Sequence, residues 1–146
     1  SRERIEAALD IAQATEFVNA KEEGADAPIA QGGTNVSGGQ RQRLAIARAL
    51  ATDARAYLFD DSFSALDYKT DAALRREMNE RLSGKTVIIV AQRISTVLSA
   101  DRIVVLDEGR VVGAGTHAEL METCREYQEI ASSQLSAAEL KGGEQK

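Results

Sequence analysis

The spacing of apolar residues changes twice along the chain, and each change predicts a different kind of element. Between Arg2 and about Val18, apolar positions recur at helical spacing among charges, which predicts one or two surface helices. The stretch 21–35 loses that spacing and contains the only proline together with several glycines. We therefore expect a loop there.

A second helix is predicted to begin at Ser37. Gln40 stands three residues later, the spacing of a capping box in which two residues bond each other's backbone N–H groups. An apolar stripe follows on one face, and the arginines of the same helix are expected to stay solvated. The stripe consists of Leu44, Ala47 and Leu50, and the arginines are Arg41, Arg43 and Arg48.

The pattern becomes strand-like beyond Asp53. The nearly continuous apolar runs 56–59 and 86–91 are typical of strands in a parallel sheet that is covered on both faces. Helical spacing over 70–82, between these runs, predicts a βαβ crossover. Two further apolar runs, at 103–106 and 110–112, predict a hairpin at a sheet edge.

The last part of the chain is predicted to be one helix and a tail. Thr116, with Glu119 three residues later, should cap a helix that continues to about Ser132. Residues 133–146 are polar and small and are predicted to be a flexible tail. His117 is interpreted as structural, because a lone histidine at a helix start is more often structural than a ligand.

Composition excludes several classes of protein. The 146 residues are 43% hydrophobic, which is enough for a globular domain. A net charge of −5 and the absence of tryptophan argue against nucleic-acid binding. The single cysteine, Cys124, cannot form an intrachain disulfide, which fits a reducing cytoplasm. No apolar run approaches the roughly 18 residues of a membrane span, and the chain does not start like a signal peptide, so we expect it to be soluble.

The start of the second helix has the chemistry of a phosphate contact. Ser37, Gly38 and Gly39 would place unobstructed backbone N–H groups at the positive end of the helix dipole. These 146 residues contain no Gly-x-x-x-x-Gly-Lys-[Ser/Thr] phosphate loop. A nucleotide bound at this helix would therefore be shared with another chain or segment.

Two adjacent acids end the first predicted strand. Asp60 and Asp61 would lie at the carboxyl end of a buried strand, where open α/β sheets bind ligands. One carboxylate there can hold hydrated Mg²⁺ and the other can orient an attacking water. An ordinary strand-end turn explains the doublet equally well when it is considered alone.

The order of these motifs resembles the nucleotide-binding domain of ATP-binding cassette (ABC) transporters, from about Ile5 to Ala131. An apolar strand ending at Gln92 follows the other motifs, and Ser95–Thr96 with residues 115–120 resemble the exporter branch. The motifs that carry the resemblance are Val-Ser-Gly-Gly-Gln at 36–40, Leu-Phe-Asp-Asp at 58–61 and Ser-Ala-Leu-Asp at 64–67.

The resemblance implies an α/β fold, specifically the C-terminal part of a P-loop NTPase (RecA-like) core with a mostly parallel sheet. A helical subdomain carrying the signature helix would accompany this core. We expect the helical subdomain at 1–52, the core at 53–132 and the tail at 133–146.

The resemblance also implies roles for individual residues. The signature segment would contact the γ-phosphate of an ATP held by a partner's phosphate loop, and the strand-end acids would serve the chain's own ATP. The implied contacts are Ser37, Gly38, Gly39 and Gln40 with ATP in trans, Asp60 with Mg²⁺, Asp67 in the loop between subunits, and Asp61 and Gln92 in catalysis.

Three positions depart from the family pattern. Position 61 usually carries glutamate as catalytic base, position 92 usually carries histidine, and position 31 often carries glutamate, whereas this chain has Asp61, Gln92 and Gln31. Aspartate is shorter by roughly 1.5 Å, and a 1 Å error in positioning can cost about a hundredfold in rate. Glutamine cannot become charged near neutral pH. Position 31 lies in the loop before the signature segment, which in the family contacts the membrane domains, and no consequence is assigned to Gln31.

Asp61 and Gln92 affect the same ATP site and leave the signature segment intact. We therefore expect a degenerate site on this chain and a heterodimer with a second ABC subunit; a homodimer is the alternative. The implied cofactors are ATP and Mg²⁺, and the fragment alone should be inactive.

The implied whole protein is an exporter at the cytoplasmic face of the cell membrane, with a transmembrane domain in the same full-length protein. Two rivals remain open, a non-transport ABC-type ATPase and a binding-only regulatory module. Six membrane helices upstream of the chain would favour the exporter.

Overall fold

The computed structural model describes residues 1–135, which form two compact units. The first unit runs from Ser1 to Val90 and the second begins at Ala91. The boundaries predicted near residues 52 and 132 separate a helical subdomain, an ATPase core and a tail, whereas the two units are defined by compactness. Those boundaries therefore stay predictions. The part of the predicted tail beyond residue 135 lies outside the described residues. No helix within 1–135 is long and apolar enough to cross a membrane.

The first unit starts with the two short helices that the apolar spacing predicts. They pack against the longer helix α3, and a segment with two turns of 3₁₀ helix connects them to it. The elements are α1 (Arg2–Ile11), α2 (Thr15–Asn19), the 3₁₀ turns Gly24–Asp26 and Gln31–Gly33, and α3 (Gly38–Leu50).

One arginine of α3 is less solvated than predicted. Arg43 stacks on the Phe17 ring, with its guanidinium carbon 4.7 Å from the ring centroid, and it donates to the Gln13 carbonyl. Its position explains this, because Arg43 lies one turn before Ala47 and two before Leu50, both buried. Residue 43 therefore belongs to the inward face, and its charge is accommodated by an aromatic ring and a carbonyl.

The predicted βαβ crossover is confirmed. Strands β1 (Ala56–Asp60) and β2 (Thr86–Val90) pair in parallel, and helix α4 (Tyr68–Arg81) connects them. Phe59 faces the core and is 2% exposed, whereas its neighbour Leu58 is 68% exposed.

The prediction that this sheet is covered on both faces is wrong for the described residues. Leu58 and Ile88 stand on the uncovered face. The physical reason is that a single crossover helix packs on one face of its two strands. The continuous apolar runs therefore include side chains on a sheet face that no other part of residues 1–90 covers.

The second unit contains the predicted hairpin, made of β3 (Ile103–Asp107) and β4 (Arg110–Gly115) in an antiparallel pair. Glu108 and Gly109 both have positive φ, 44° and 75°, as a two-residue type I′ turn requires. The strands form a separate two-stranded sheet. The short helix α5 (Ile94–Val97) precedes them.

The predicted last helix is divided in two. The capping box of Thr116 and Glu119 is present, but α6 (His117–Thr123) ends before Cys124, and α7 (Arg125–Gln134) continues two residues past the predicted end. Cys124 has φ −120° and ψ 107° and is buried. A Cβ on Gly113 would stand 2.8 Å from its sulfur, so the break seats Cys124 against the hairpin.

Candidate functional site

The start of α3 is built by the predicted capping box. The Gln40 N–H donates to Ser37 Oγ at 3.2 Å, and the Ser37 N–H donates to Gln40 Oε1 at 3.0 Å. These two bonds satisfy the N–H groups of Ser37 and Gln40. The N–H groups of Gly38 and Gly39 have no acceptor within the helix, because they belong to its first turn. Two adjacent donors therefore remain at the positive helix end.

The segment before α3 fixes the direction from which the chain enters the helix. Asn35 accepts the Ala30 N–H at 3.0 Å and donates to the Pro28 carbonyl at 2.9 Å. Arg41, inside the helix, donates to the Gly32 carbonyl at 3.0 Å. The predicted loop is thus an ordered segment tied to the first turns of α3.

The acid pair lies at the carboxyl end of β1, as predicted. Asp60 is the last strand residue and is exposed. Asp61 turns away with φ 48°, a left-handed conformation that aspartate tolerates better than most residues. Its N–H donates to the Val90 carbonyl at 3.0 Å, and its Oδ2 lies 3.1 Å from the Ser64 hydroxyl. The two carboxylates therefore have different environments.

Gln42 connects the helix to the turn that follows the acids. Its Nε2 lies 3.2 Å from the Asp61 carbonyl and 3.0 Å from Ser64 Oγ, and its Oε1 accepts the Ala65 N–H at 2.9 Å. The turn also lies close to the helix backbone, since a Cβ on Gly39 would be 3.2 Å from the Ala65 carbonyl oxygen. The structure thus brings the glycine-rich helix start and the acid turn together.

Asp67 caps α4. Its carboxylate accepts the Thr70 N–H at 3.0 Å and the Thr70 hydroxyl at 2.7 Å. These bonds stabilise the charged carboxylate and hold the pKa of Asp67 below its usual value. The residue that the resemblance places between subunits has a local structural role here.

Gln92 belongs to the second unit, two residues beyond the end of β2. Its backbone carbonyl accepts a hydrogen bond from Gln134 Nε2 at 2.9 Å, and Gln134 Oε1 accepts the Ile94 N–H at 2.9 Å. Gln92 is exposed, so its amide is accessible to a ligand.

The acid pair has the chemistry of a partial cation site. Residues 1–135 contain no cluster of three or more metal-ligating side chains. Asp60 can supply one exposed carboxylate, and Mg²⁺ is commonly held by one or two carboxylates with water and substrate phosphates. The donors present therefore fit a hydrated Mg²⁺ that arrives with a nucleotide.

Comparison with known proteins identifies the arrangement. The family model described as ABC transporter matches residues 2–64. An uncharacterized ABC transporter ATP-binding protein of Mycobacterium tuberculosis is 47% identical over 135 residues, which cover 92% of this chain and 23% of the relative. The structure of a bacterial Atm1-family ABC exporter with ATP bound superposes with a TM-score of 0.88 at 35% identity, over 93% of this chain and 24% of that chain. The chain has the sequence and fold of an ABC transporter ATP-binding domain.

A third relative of this ABC domain is the ATP-dependent lipid A-core flippase of Vibrio vulnificus. It is 44% identical over 130 residues, which cover 89% of this chain and 22% of the flippase. The chain thus spans less than a quarter of the length of the relatives it matches.

The sequence did not reveal the role of Gln42 in this ABC domain. It stands four residues before Ile46, which is 1% exposed, and so lies on the buried side of α3. The available signal in the sequence was a polar residue on the buried side of a predicted helix, which indicates that its side chain has a hydrogen-bond partner. Its partners lie 19 to 23 residues away along the chain, and only folding shows which groups they are.

Proposed function

We propose that this chain is the C-terminal portion of the ATP-binding subunit of an ABC exporter. ATP binding and hydrolysis at a composite dimer interface would power substrate export. The observation that carries this proposal is the helix start at Ser37, where two N–H groups remain available beside the acid turn. The relatives named as a flippase and an exporter support the same class.

The helix start contacts ATP that a partner subunit holds. The Gly38 and Gly39 N–H groups and the Ser37 hydroxyl hydrogen donate to the γ-phosphate, while the Ser37 oxygen keeps its bond from the Gln40 N–H. These donors are preorganised, and the helix dipole favours the negative phosphate. Gln40 contributes by holding the cap and stands next to the phosphate.

The acid turn serves the chain's own ATP. Asp60 holds the Mg²⁺ that accompanies the nucleotide, and such an ion neutralises charge on the phosphates. Asp61 orients the attacking water from a shorter side chain than glutamate, and Gln92 offers an uncharged hydrogen-bond donor to phosphate. Both residues keep ATP binding possible and make positioning for hydrolysis poorer. This site is therefore the degenerate one.

The partner is a second ABC subunit with its own phosphate loop. A heterodimer is favoured, because two copies of this chain would combine two poor sites; a homodimer is the alternative. Asp67 ends the turn that faces the other subunit. The full-length protein includes a transmembrane domain and acts at the cytoplasmic face of the membrane, whereas residues 1–146, which contain no phosphate-loop lysine motif, are inactive alone.

A binding-only module, in which ATP locks the dimer and is not cleaved at this chain's site, is the second candidate. Asp61 and Gln92 are the observations that favour it. The two candidates differ in ATP turnover at the partner's site, which the exporter requires and the binding-only module does not.

The test is Gly38→Asp in the full-length protein, with Gly84→Asp as the matched control. A carboxylate in the first turn repels phosphate, yet it stabilises the helix through the dipole. Gly84 has φ 79° and open space around its Cα, so an aspartate there meets no neighbour but strains the backbone, and the thermal stability of the control is therefore measured as well. We expect ATP turnover to fall by about tenfold or more for Gly38→Asp, with no loss of thermal stability. Unchanged turnover relative to the control would refute the proposed contact.

A further inference from the structure

Gln42 is the side chain through which α3 holds the acid turn. Its amide makes three contacts with that turn, at 3.2 Å to the Asp61 carbonyl, 3.0 Å to Ser64 Oγ and 2.9 Å from the Ala65 N–H. A glutamine amide has two N–H donors and one carbonyl acceptor. Both ends of the amide are therefore used on one short segment.

The helix end of this link is rigid. Gln42 lies one turn into α3, close behind the glycines whose N–H groups point out of the helix, and the capping box fixes that first turn. The Ala65 carbonyl also lies against Gly39, where a Cβ would approach to 3.2 Å. A shift of the helix start would therefore move the Gln42 amide and the Ala65 backbone with it.

The turn end of the link leads to the carboxylate of Asp61. Ser64 Oγ accepts from Gln42 and stands 3.1 Å from Asp61 Oδ2, to which its hydroxyl can donate. A second path runs through the Asp61 carbonyl, which Gln42 contacts directly. Asp61 is held at φ 48°, so its backbone orientation decides where the carboxylate stands.

We propose that Gln42 is a positioning residue that couples the signature helix to Asp61. This inference rests on the proposed function: the helix start contacts ATP held by the partner, and Asp61 serves the chain's own ATP. Occupation of the partner's site then changes the placement of Asp61 through the Gln42 amide and the Ser64 hydroxyl. The two ATP sites are thereby linked within one subunit.

The test compares Gln42→Met with Gln13→Met in the full-length protein. Methionine keeps the length of glutamine and removes its hydrogen bonds. Gln13 is a matched control, because its side chain donates to the Asp10 carbonyl in its own turn and, among residues 1–135, bonds no group of the acid turn. We expect Gln42→Met to lower kcat at the site that contains Asp61, measured separately from turnover at the partner's site, by about tenfold and to change the KM for ATP less than twofold. A merely structural residue would instead lower thermal stability and leave kcat of the folded fraction unchanged.

A double-mutant cycle with Ser64→Ala tests the route. Ser64→Ala alone should lower kcat severalfold, and the combined variant should lose less than the product of the two single losses. If the loss of kcat in the combined variant equals the product of the two single losses, the route through Ser64 is refuted. Should Gln42→Met fail to fold, a normal kcat in Ser64→Ala refutes the coupling by itself.

The outcomes separate this inference from the proposed function. A wild-type protein that turns over no ATP would overturn the proposed function and the coupling with it. A wild-type protein that is active, with a Gln42→Met variant equal to Gln13→Met, would overturn the coupling alone.

Discussion

Replacing Gly39 by alanine tests how closely the acid turn packs on α3. The new Cβ would stand 3.2 Å from the Ala65 carbonyl oxygen and 3.9 Å from Leu66 Cδ2. The first distance is short enough that the neighbour must move by a few tenths of an ångström. Ala65 cannot retreat freely, because its N–H is bonded to Gln42 at 2.9 Å and the following residue, Leu66, is buried.

Gly38 supplies the control for this substitution. A Cβ there would lie 4.0 Å from the Ala65 Cβ, an ordinary contact. Alanine is favoured over glycine in a helix by about 0.5–1 kcal/mol, and less in the first turn. Forced packing against backbone costs about 1–3 kcal/mol and applies to Gly39 alone. We therefore expect Gly39→Ala to be less stable than Gly38→Ala by about 1 kcal/mol or more.

Urea unfolding of the two variants measures this difference. The free energies of unfolding are compared by linear extrapolation, with the slopes checked for equality. Gly38→Ala should match or exceed the wild type, and Gly39→Ala should fall below both. Equal stability of the two variants would show that the turn does not press on the helix, and the close approach at Ala65 would then be wrong.

Two further predictions concern stability. Bonds from Thr70 hold the pKa of Asp67 below its unfolded value, so the stabilisation is full above the unfolded pKa and is lost as pH falls through the folded one. Asp67→Ala should therefore lower the urea midpoint at neutral pH, and its gap from the wild type should narrow in acid; a gap independent of pH would contradict this. Arg43→Met should lower the free energy of unfolding by about 1–2 kcal/mol, because the Phe17 contact and a bond to a backbone carbonyl are lost. Arg48→Met, on the exposed side of the same helix, should change it little, and equal losses would refute the contact.

The parts of the fold that the sequence predicted depend on local chemistry. The capping boxes at Ser37 and Thr116 need only two residues three positions apart, and both are present. The hairpin turn at Glu108 and Gly109 is likewise decided within a few residues. The βαβ crossover followed from two continuous apolar runs, because this pattern suits parallel strands.

Two of the errors come from contacts between distant segments. Arg43 was expected in water because charge usually indicates exposure, yet its partners are Gln13, in the turn between α1 and α2, and Phe17, in α2. The break at Cys124 reflects a contact with Gly113 in the hairpin. Helical periodicity continues across such a break, so the sequence alone indicates one helix.

The positions of the candidate site residues in the fold were predictable, but the contacts among them were not. Ser37, Asp60 and Asp61 lie where their motifs imply, at a helix start and a strand end. The left-handed φ of Asp61 and the three contacts of Gln42 arise only when the turn meets α3. Which ATP each residue serves stays a prediction.

Site-resolved ATP turnover in the assembled full-length dimer tests the division of labour most directly. Nucleotide is trapped separately at the site that contains Asp61 and at the site completed by Ser37. We predict that Asp61→Glu with Gln92→His raises turnover at the first site and leaves the second nearly unchanged, whereas Gly38→Asp depresses the second. If neither the Asp61→Glu, Gln92→His double variant nor Gly38→Asp changes turnover at its own site, the proposed asymmetry is wrong.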